Sequence, residues 1–185
     1  MRRPLYHRTG AMKRYLFLTL LAVTSACCRP TRPVIDVWTA AATGEAGLIQ
    51  QHIEAGTDID EPNRLTRSTP LNMAIAFGHA STARALVEGG ANIEGRNGDG
   101  ATPLIVATFF GHEEIVRMLV HAGANLDARN QLGMTALQVA EAEWSRELEG
   151  LYKFMGRLMR TELDLEDIKA SRPGIVAVLR AAGGE

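Results

Sequence analysis

The sequence predicts an all-α solenoid, a row of short helix pairs stacked side by side, and three features predict it. Thr69, Thr102 and Thr135 lie 33 residues apart, and each opens a near-copy of one phrase: Ser68-Thr69-Pro70-Leu71, Ala101-Thr102-Pro103-Leu104 and Met134-Thr135-Ala136-Leu137. After the first two, an Ala-rich stretch ends in Gly78-His79 and Gly111-His112, and the units close on Gly90-Ala91-Asn92 and Gly123-Ala124-Asn125. Self-similarity at a fixed period of this length marks a repeat array, because one such unit cannot hide its apolar face alone and must stack on its neighbours.

Residues 1–26 read as an export signal and not as part of the stack. Twelve uncharged residues, Tyr15 to Ala26, follow Lys13-Arg14. A spanning helix needs about 20 apolar residues, so a basic start, a short apolar run and small residues at its end describe a secretory signal peptide. Met12 is a more typical start than Met1, so two starts stand open, and with the second residues 1–11 are an extension. The two cysteines, Cys27 and Cys28, come directly after Thr24-Ser25-Ala26. Small residues before a cysteine resemble a bacterial lipobox, with Cys27 as the lipid attachment site, although Thr24 stands where Leu is usual. Plain cleavage after Ala26 is the competing outcome. Residues 27–33 form a tether and residues 34–185 the folded domain. With no other cysteine, that domain is stabilised by packing and not by disulfides.

The parts of each unit have physical reasons. Thr caps a helix N-terminus through its hydroxyl, and Pro at the first helical position loses no needed hydrogen bond. In the unit from Thr102, Leu104, Val106 and Ala107 give the first helix a buried face, and Gly111 ends it in a left-handed conformation. The second helix, Glu113 to Val120, puts acids at its positive end and apolar residues at helical period. An earlier, degenerate copy is visible at an offset of 34, with Val37 to Asp60 matching Leu71 to Glu94 and Gly44, Gly56 and Asp58 in place. A 33-residue period carrying these elements in register resembles the ankyrin repeat. That resemblance implies about four repeats, at about 35–66, 67–99, 100–132 and 133–185, joined by short hairpin fingers. The His that normally follows Thr-Pro-Leu is replaced by Asn72, Ile105 and Gln138, so its bridge to Thr is absent or is made differently by Asn72 and Gln138. Arg67 replaces the hairpin Gly.

The fourth repeat is interrupted. Its first helix begins at Thr135-Ala136-Leu137, but the match to Ile115–Gly123 arrives only at Ile175–Gly183, an offset of 60 instead of 33. The extra segment spans about 145–171. Within it Leu148, Leu151, Tyr152, Met155, Leu158 and Met159 recur at three- and four-residue steps among charged residues, which predicts an amphipathic helix, continuous with the first helix or separate from it. The acidic run Glu162–Asp167 is expected to turn the chain, and Pro173 to start the last helix. The segment either caps the open end of the stack or docks a partner.

Chemistry is not indicated. The five histidines, His7, His52, His79, His112 and His121, show no metal-ligand spacing, and no nucleophile elbow, phosphate loop or metal-binding helix motif occurs. Residues 27–185 carry 15 basic against 21 acidic groups, a balance that repels phosphate backbones and argues against nucleic acid as partner. No cofactor or small-molecule substrate is implied. The ankyrin resemblance implies a protein partner, met by the finger tips and the exposed end of each first helix on the concave side. Matching candidates are Leu65 and Thr66, Asp99, and Leu132 and Met134 at the tips, with Phe77, Phe109, Phe110 and Trp144 as a transverse aromatic row at the helix ends. An exposed apolar row of this kind binds a partner; alternatively, neighbouring repeats or the inserted helix bury these rings. The expected role is a periplasmic, membrane-tethered scaffold or inhibitor. Its alternatives are an immunity-like inhibitor of an exported enzyme and a passive structural protein of the envelope.

Overall fold

The computed structural model describes residues 33–183; the expected signal, Cys27 and all of the tether but Pro33 lie outside the described residues, as do 184–185. Among the described residues the chain forms nine helices and no strand. They are α1 (Val37–Thr43), α2 (Ala46–Glu54), α3 (Pro70–Ala76), α4 (Ala80–Glu88), α5 (Pro103–Phe109), α6 (Glu113–His121), α7 (Ala136–Glu141), α8 (Arg146–Met159) and α9 (Leu165–Ala181). The first helices of the repeats, α1, α3, α5 and α7, stack in one layer, while α2, α4, α6 and α9 stack in the other. This is the all-α ankyrin solenoid that the period predicts.

Local sequence sets both ends of the first helices. Asp36 accepts from the Thr39 amide, Thr69 from Asn72, and Thr135 from Gln138, whose side chain bonds back to the Thr135 amide to complete a capping box. Asn72 instead sends its amide Nδ2 to the Gly95 carbonyl at 2.6 Å, so it bridges to the turn after α4. At Thr102 the third residue is Ile105, which has nothing to return, and the buried Thr102 hydroxyl makes no bond.

The Gly-His pairs explain how one repeat seats on the next. Gly44, Gly78 and Gly111 take φ of 79°, 74° and 75° at the ends of α1, α3 and α5. A Cβ at Gly44 would sit 2.8 Å from the His79 ring, and one at Gly78 would sit 2.9 Å from the His112 ring. Glycine is therefore needed twice over, for the left-handed turn and for the close approach of the following imidazole. His79 Nε2 donates to the Ala42 carbonyl at 3.0 Å, closing the junction between the first two repeats. His112 faces the matching Ala76 carbonyl but falls short of full hydrogen-bond geometry.

The core is one continuous strip. Ala40, Ala41, Ala74, Ala83 and Ala107 are fully buried between helices, where their size permits close contact, and Ile49, Leu71, Ile75, Leu86, Leu104, Ile115, Leu119, Ile175 and Leu179 fill the layer between.

The fourth repeat corrects one expectation and decides between two others. The last helix does not start at Pro173; it starts at Leu165 and carries Pro173 inside it. Asp164 is the reason, since its carboxylate accepts from the amides of Glu166 and Asp167 and so nucleates the helix upstream, with Glu166 and Asp167 in its positive first turn. Pro173 is exposed, which confines its missing donor to the solvent side. The inserted helix is also separate from α7. Ala142 turns extended (φ −53°, ψ 134°), and Ser145 opens α8 by accepting from the Leu148 amide at 3.2 Å.

The His112 junction has a pH signature. Burial holds this imidazole below its ordinary 6.5, opposed by the Ala76 carbonyl and Asp167 and reinforced by His79. The unfolded chain therefore binds the proton more readily, so the stability this site contributes is complete above about pH 6.5 and is lost as pH falls below it. Urea unfolding between pH 5 and 7.5 is expected to show a shallower pH dependence in His112→Gln than in the wild type.

Candidate binding surface

The fingers are built around an asparagine. Asn63 Oδ1 accepts from the amides of Leu65 and Thr66, Asn97 Oδ1 from Asp99 and Ala101, and Asn130 Oδ1 from Leu132 and Met134. The backbone amide of each asparagine donates across the finger, to Ser68, Ala101 and Met134 respectively. This is the side-chain turn geometry that favours Asn in tight loops. The sequence carries this signal in the spacing of the asparagines, 34 and then 33 residues. Neighbouring fingers are tied together as well. The Gln131 amides donate to the carbonyls of Asp99 and Gly98, and Arg96 bridges the carbonyls of Gly100 and Arg129.

This framework presents the predicted tip residues differently from one another. Leu65 and Leu132 are 93% and 82% exposed, a costly placement for a leucine that packs on nothing. Thr66 and Asp99 are exposed beside them, and Met134 is half-buried.

The aromatic row is not a single exposed strip. Phe109 stacks on Tyr152 of α8 with ring centres 4.5 Å apart, and Trp144 stacks on the other side of the same ring at 5.4 Å. The Tyr152 hydroxyl donates to the Phe109 carbonyl at 2.6 Å, at the C-terminal end of α5. Burial pushes this phenol up to about 12, against the opposing pull of Arg172. Phe110 is only 5% exposed and packs edge-on to Phe109 and flat on His112, so it belongs to the core and cannot meet a partner. Phe77 is half-buried and stacks on His79. Two of the four candidate rings are thus covered by the chain's own insertion, because an aromatic on α8 completes the stack more economically than water does.

The residue that sequence reasoning missed here is Arg172. It is 8% exposed, yet its guanidinium donates to the carbonyls of Val139, Ala140 and Ala142 and lies 5.6 Å over the Trp144 ring. Those carbonyls end α7, where the helix dipole is negative, so a buried cation finds acceptors and favourable potential together. Arg180 adds an ion pair to Glu141 on the same helix. One arginine among 15 basic groups gives no sign of this in sequence.

Among the described residues no cluster of His, Cys, Asp and Glu could hold a metal ion. His52, buried, reaches the Ile35 carbonyl at 2.8 Å and the Thr57 hydroxyl at 3.2 Å, a structural use of its ring.

A family model described as ankyrin repeats in three copies matches residues 37–130, half of the chain. The chain belongs to the ankyrin-repeat family. An ankyrin repeat-containing protein of Schizosaccharomyces pombe is 31% identical over 67 residues, 35% of this chain and 31% of that protein, so this chain covers about a third of the relative. Ankyrin repeats are generally protein–protein interaction modules. The family match ends at Asn130, short of α7 to α9, which is where the insertion departs from the repeat pattern.

The fingers also hold a strained position. Arg67 has φ 53°, in the place where the next fingers use Gly100 and Gly133 at 69° and 75°. A left-handed residue with a Cβ costs about 1 kcal/mol, so Arg67→Gly is expected to raise the unfolding free energy by about that amount, against the general cost of added glycine. Urea denaturation measures the difference.

Proposed function

We propose that this protein is a non-catalytic binding module, exported and held at the cell envelope, that captures one other protein through its fingers and the adjoining ends of α1 and α3. The carrying observation is the pair of leucines, Leu65 and Leu132, held almost fully in solvent on fingers fixed by Asn63, Asn97 and Asn130. A rigid framework that holds bulky aliphatic groups in water lowers the ordering cost of binding and supplies apolar anchors for it. Thr66 and Asp99 supply polar rim contacts, and Phe77 extends the surface. Phe109 and Trp144 support the surface from behind, through Tyr152, and do not contact the partner.

A non-catalytic role fits the use of the titratable groups, which cap helices, close fingers or seat repeats on one another. Export is supported by the uncharged run Tyr15–Ala26 behind Lys13-Arg14, and tethering by Cys27 after three small residues. The compartment this implies is the periplasm.

Two measurements test the two halves of this reading. Affinity capture from envelope extracts is expected to recover a partner with the wild type and to lose about tenfold or more of it with Leu65→Ala plus Leu132→Ala, the loss typical of removing interface anchors; equal recovery rejects the finger surface. Metabolic labelling with a radioactive fatty acid is expected to mark the wild type and not Cys27→Ser, and an unlabelled wild type removes the lipid anchor.

A further inference from the structure

The outer face of α8 is the part of the molecule that repeat stacking does not explain. At 100° per residue, Leu151, Phe154 and Leu158 fall within an arc of about 60° on this helix. They are 45%, 54% and 68% exposed. The side turned to the body is different: Tyr152 and Gly156 are buried, and Met155 and Met159 pack against the core. The helix is therefore apolar over two adjacent faces, one satisfied by the repeats and one left in solvent.

Arg146, Lys153 and Arg157 share a second exposed arc of about 40° on this helix, about 60° to 100° round from the near edge of the stripe, and Arg160 follows as the left-handed C-cap. Residues 146–160 carry these four basic groups against Glu147 and Glu149, while the rest of residues 27–185 carries 11 basic and 19 acidic groups. Lys153 answers Glu149 in an ion pair at 2.5 Å, and Glu147 lies on the arc of the stripe itself, about one turn before Leu151. A cationic arc of an acidic domain thus flanks an exposed apolar stripe on the same helix.

We propose that α8 is a membrane-surface helix, with Leu151, Phe154 and Leu158 entering the headgroup–acyl boundary of a bilayer containing anionic lipid and Arg146, Lys153, Arg157 and Arg160 binding its phosphates. A convex stripe flanked by long cationic side chains suits a plane of negative headgroups, where those side chains bury their stems and keep their charges in water. The inference rests on the envelope tethering proposed above. A tether from Cys27 to Pro33 spans at most about 25 Å, which keeps the domain beside the bilayer and raises the effective concentration of α8 there. The helix would then fix how the domain stands on the membrane, with Tyr152 as the bolt between the membrane helix and the repeats.

The test reads the position of one side chain. In the full chain carrying Cys27→Ser and Cys28→Ala, an environment-sensitive NBD fluorophore is attached at Phe154→Cys or, as control, at Ser81→Cys on the exposed side of α4. Vesicles of phosphatidylcholine with about 30% phosphatidylglycerol are added, with and without brominated acyl chains. Sedimentation alone does not identify the segment that binds, so the probe's surroundings decide. The label at 154 is expected to shift to the blue and to lose about half its intensity to brominated lipid, while the label at 81 does neither. Lys153→Glu with Arg157→Glu and Arg160→Glu is expected to abolish the shift at 154, with helicity by circular dichroism unchanged. A label at 154 that stays aqueous while the chain sediments with vesicles overturns the proposal. So does a shift that appears without lipid as protein concentration rises, which would assign the stripe to a second copy, or one equal on pure phosphatidylcholine and indifferent to charge reversal. Because these proteins carry no acyl chain, fatty-acid labelling and this assay can fail independently.

Discussion

A helix pair of this length cannot cover its own apolar side, and that constraint governs the molecule. Leu71, Ile75 and Leu86 of one repeat and Leu104, Ile115 and Leu119 of the next are buried in one shared core. Isolated helices of seven to nine residues are too short to persist in water, so packing and not propensity holds them. The Gly-His junctions follow from the same need: the turn at Gly78 must admit the ring of His112 for the layers to close.

In the fourth repeat, single side chains fasten α8 and α9 to the stack. α9 supplies the missing second helix of the fourth repeat, while its upstream extension packs Ile168 against the turn at Gly111. Arg172 then fastens α9 to the carbonyl end of α7, and Tyr152 fastens α8 to that of α5. Both side chains use the negative end of a short helix as their acceptor. The insertion covers Phe109 and Trp144 in the last two repeats, and the binding surface proposed above is therefore confined to the fingers and the ends of α1 and α3.

What could be read from the sequence divides along repetition. The period, caps, finger positions and interrupted fourth copy were legible because each contact occurs several times, and comparing copies separates it from noise. The amphipathic inserted helix was legible from its spacing alone. Features that occur once were not: Arg172 is an ordinary arginine until α7 ends beneath it, and Pro173 looks like a helix start until Asp164 is seen to cap one earlier. The aromatic row was half legible. Its four members are aromatic and adjacent in the repeat frame, but Tyr152 comes from outside that frame and decides which of them is covered. The fingers show the reverse case: Asn63, Asn97 and Asn130 repeat clearly, but only their side-chain bonds show that they close the turns.

Hydrogen–deuterium exchange on the wild type and on Arg172→Met tests most directly whether stability passes from neighbour to neighbour with Arg172 closing the end. In a stack of nearest-neighbour contacts, loosening one end lowers protection locally and progressively. The account predicts faster exchange together in α7, α8 and α9, a smaller increase in α5 and α6, and unchanged protection in α1 and α2. An increase confined to α9, or one spread evenly over all nine helices, would contradict it.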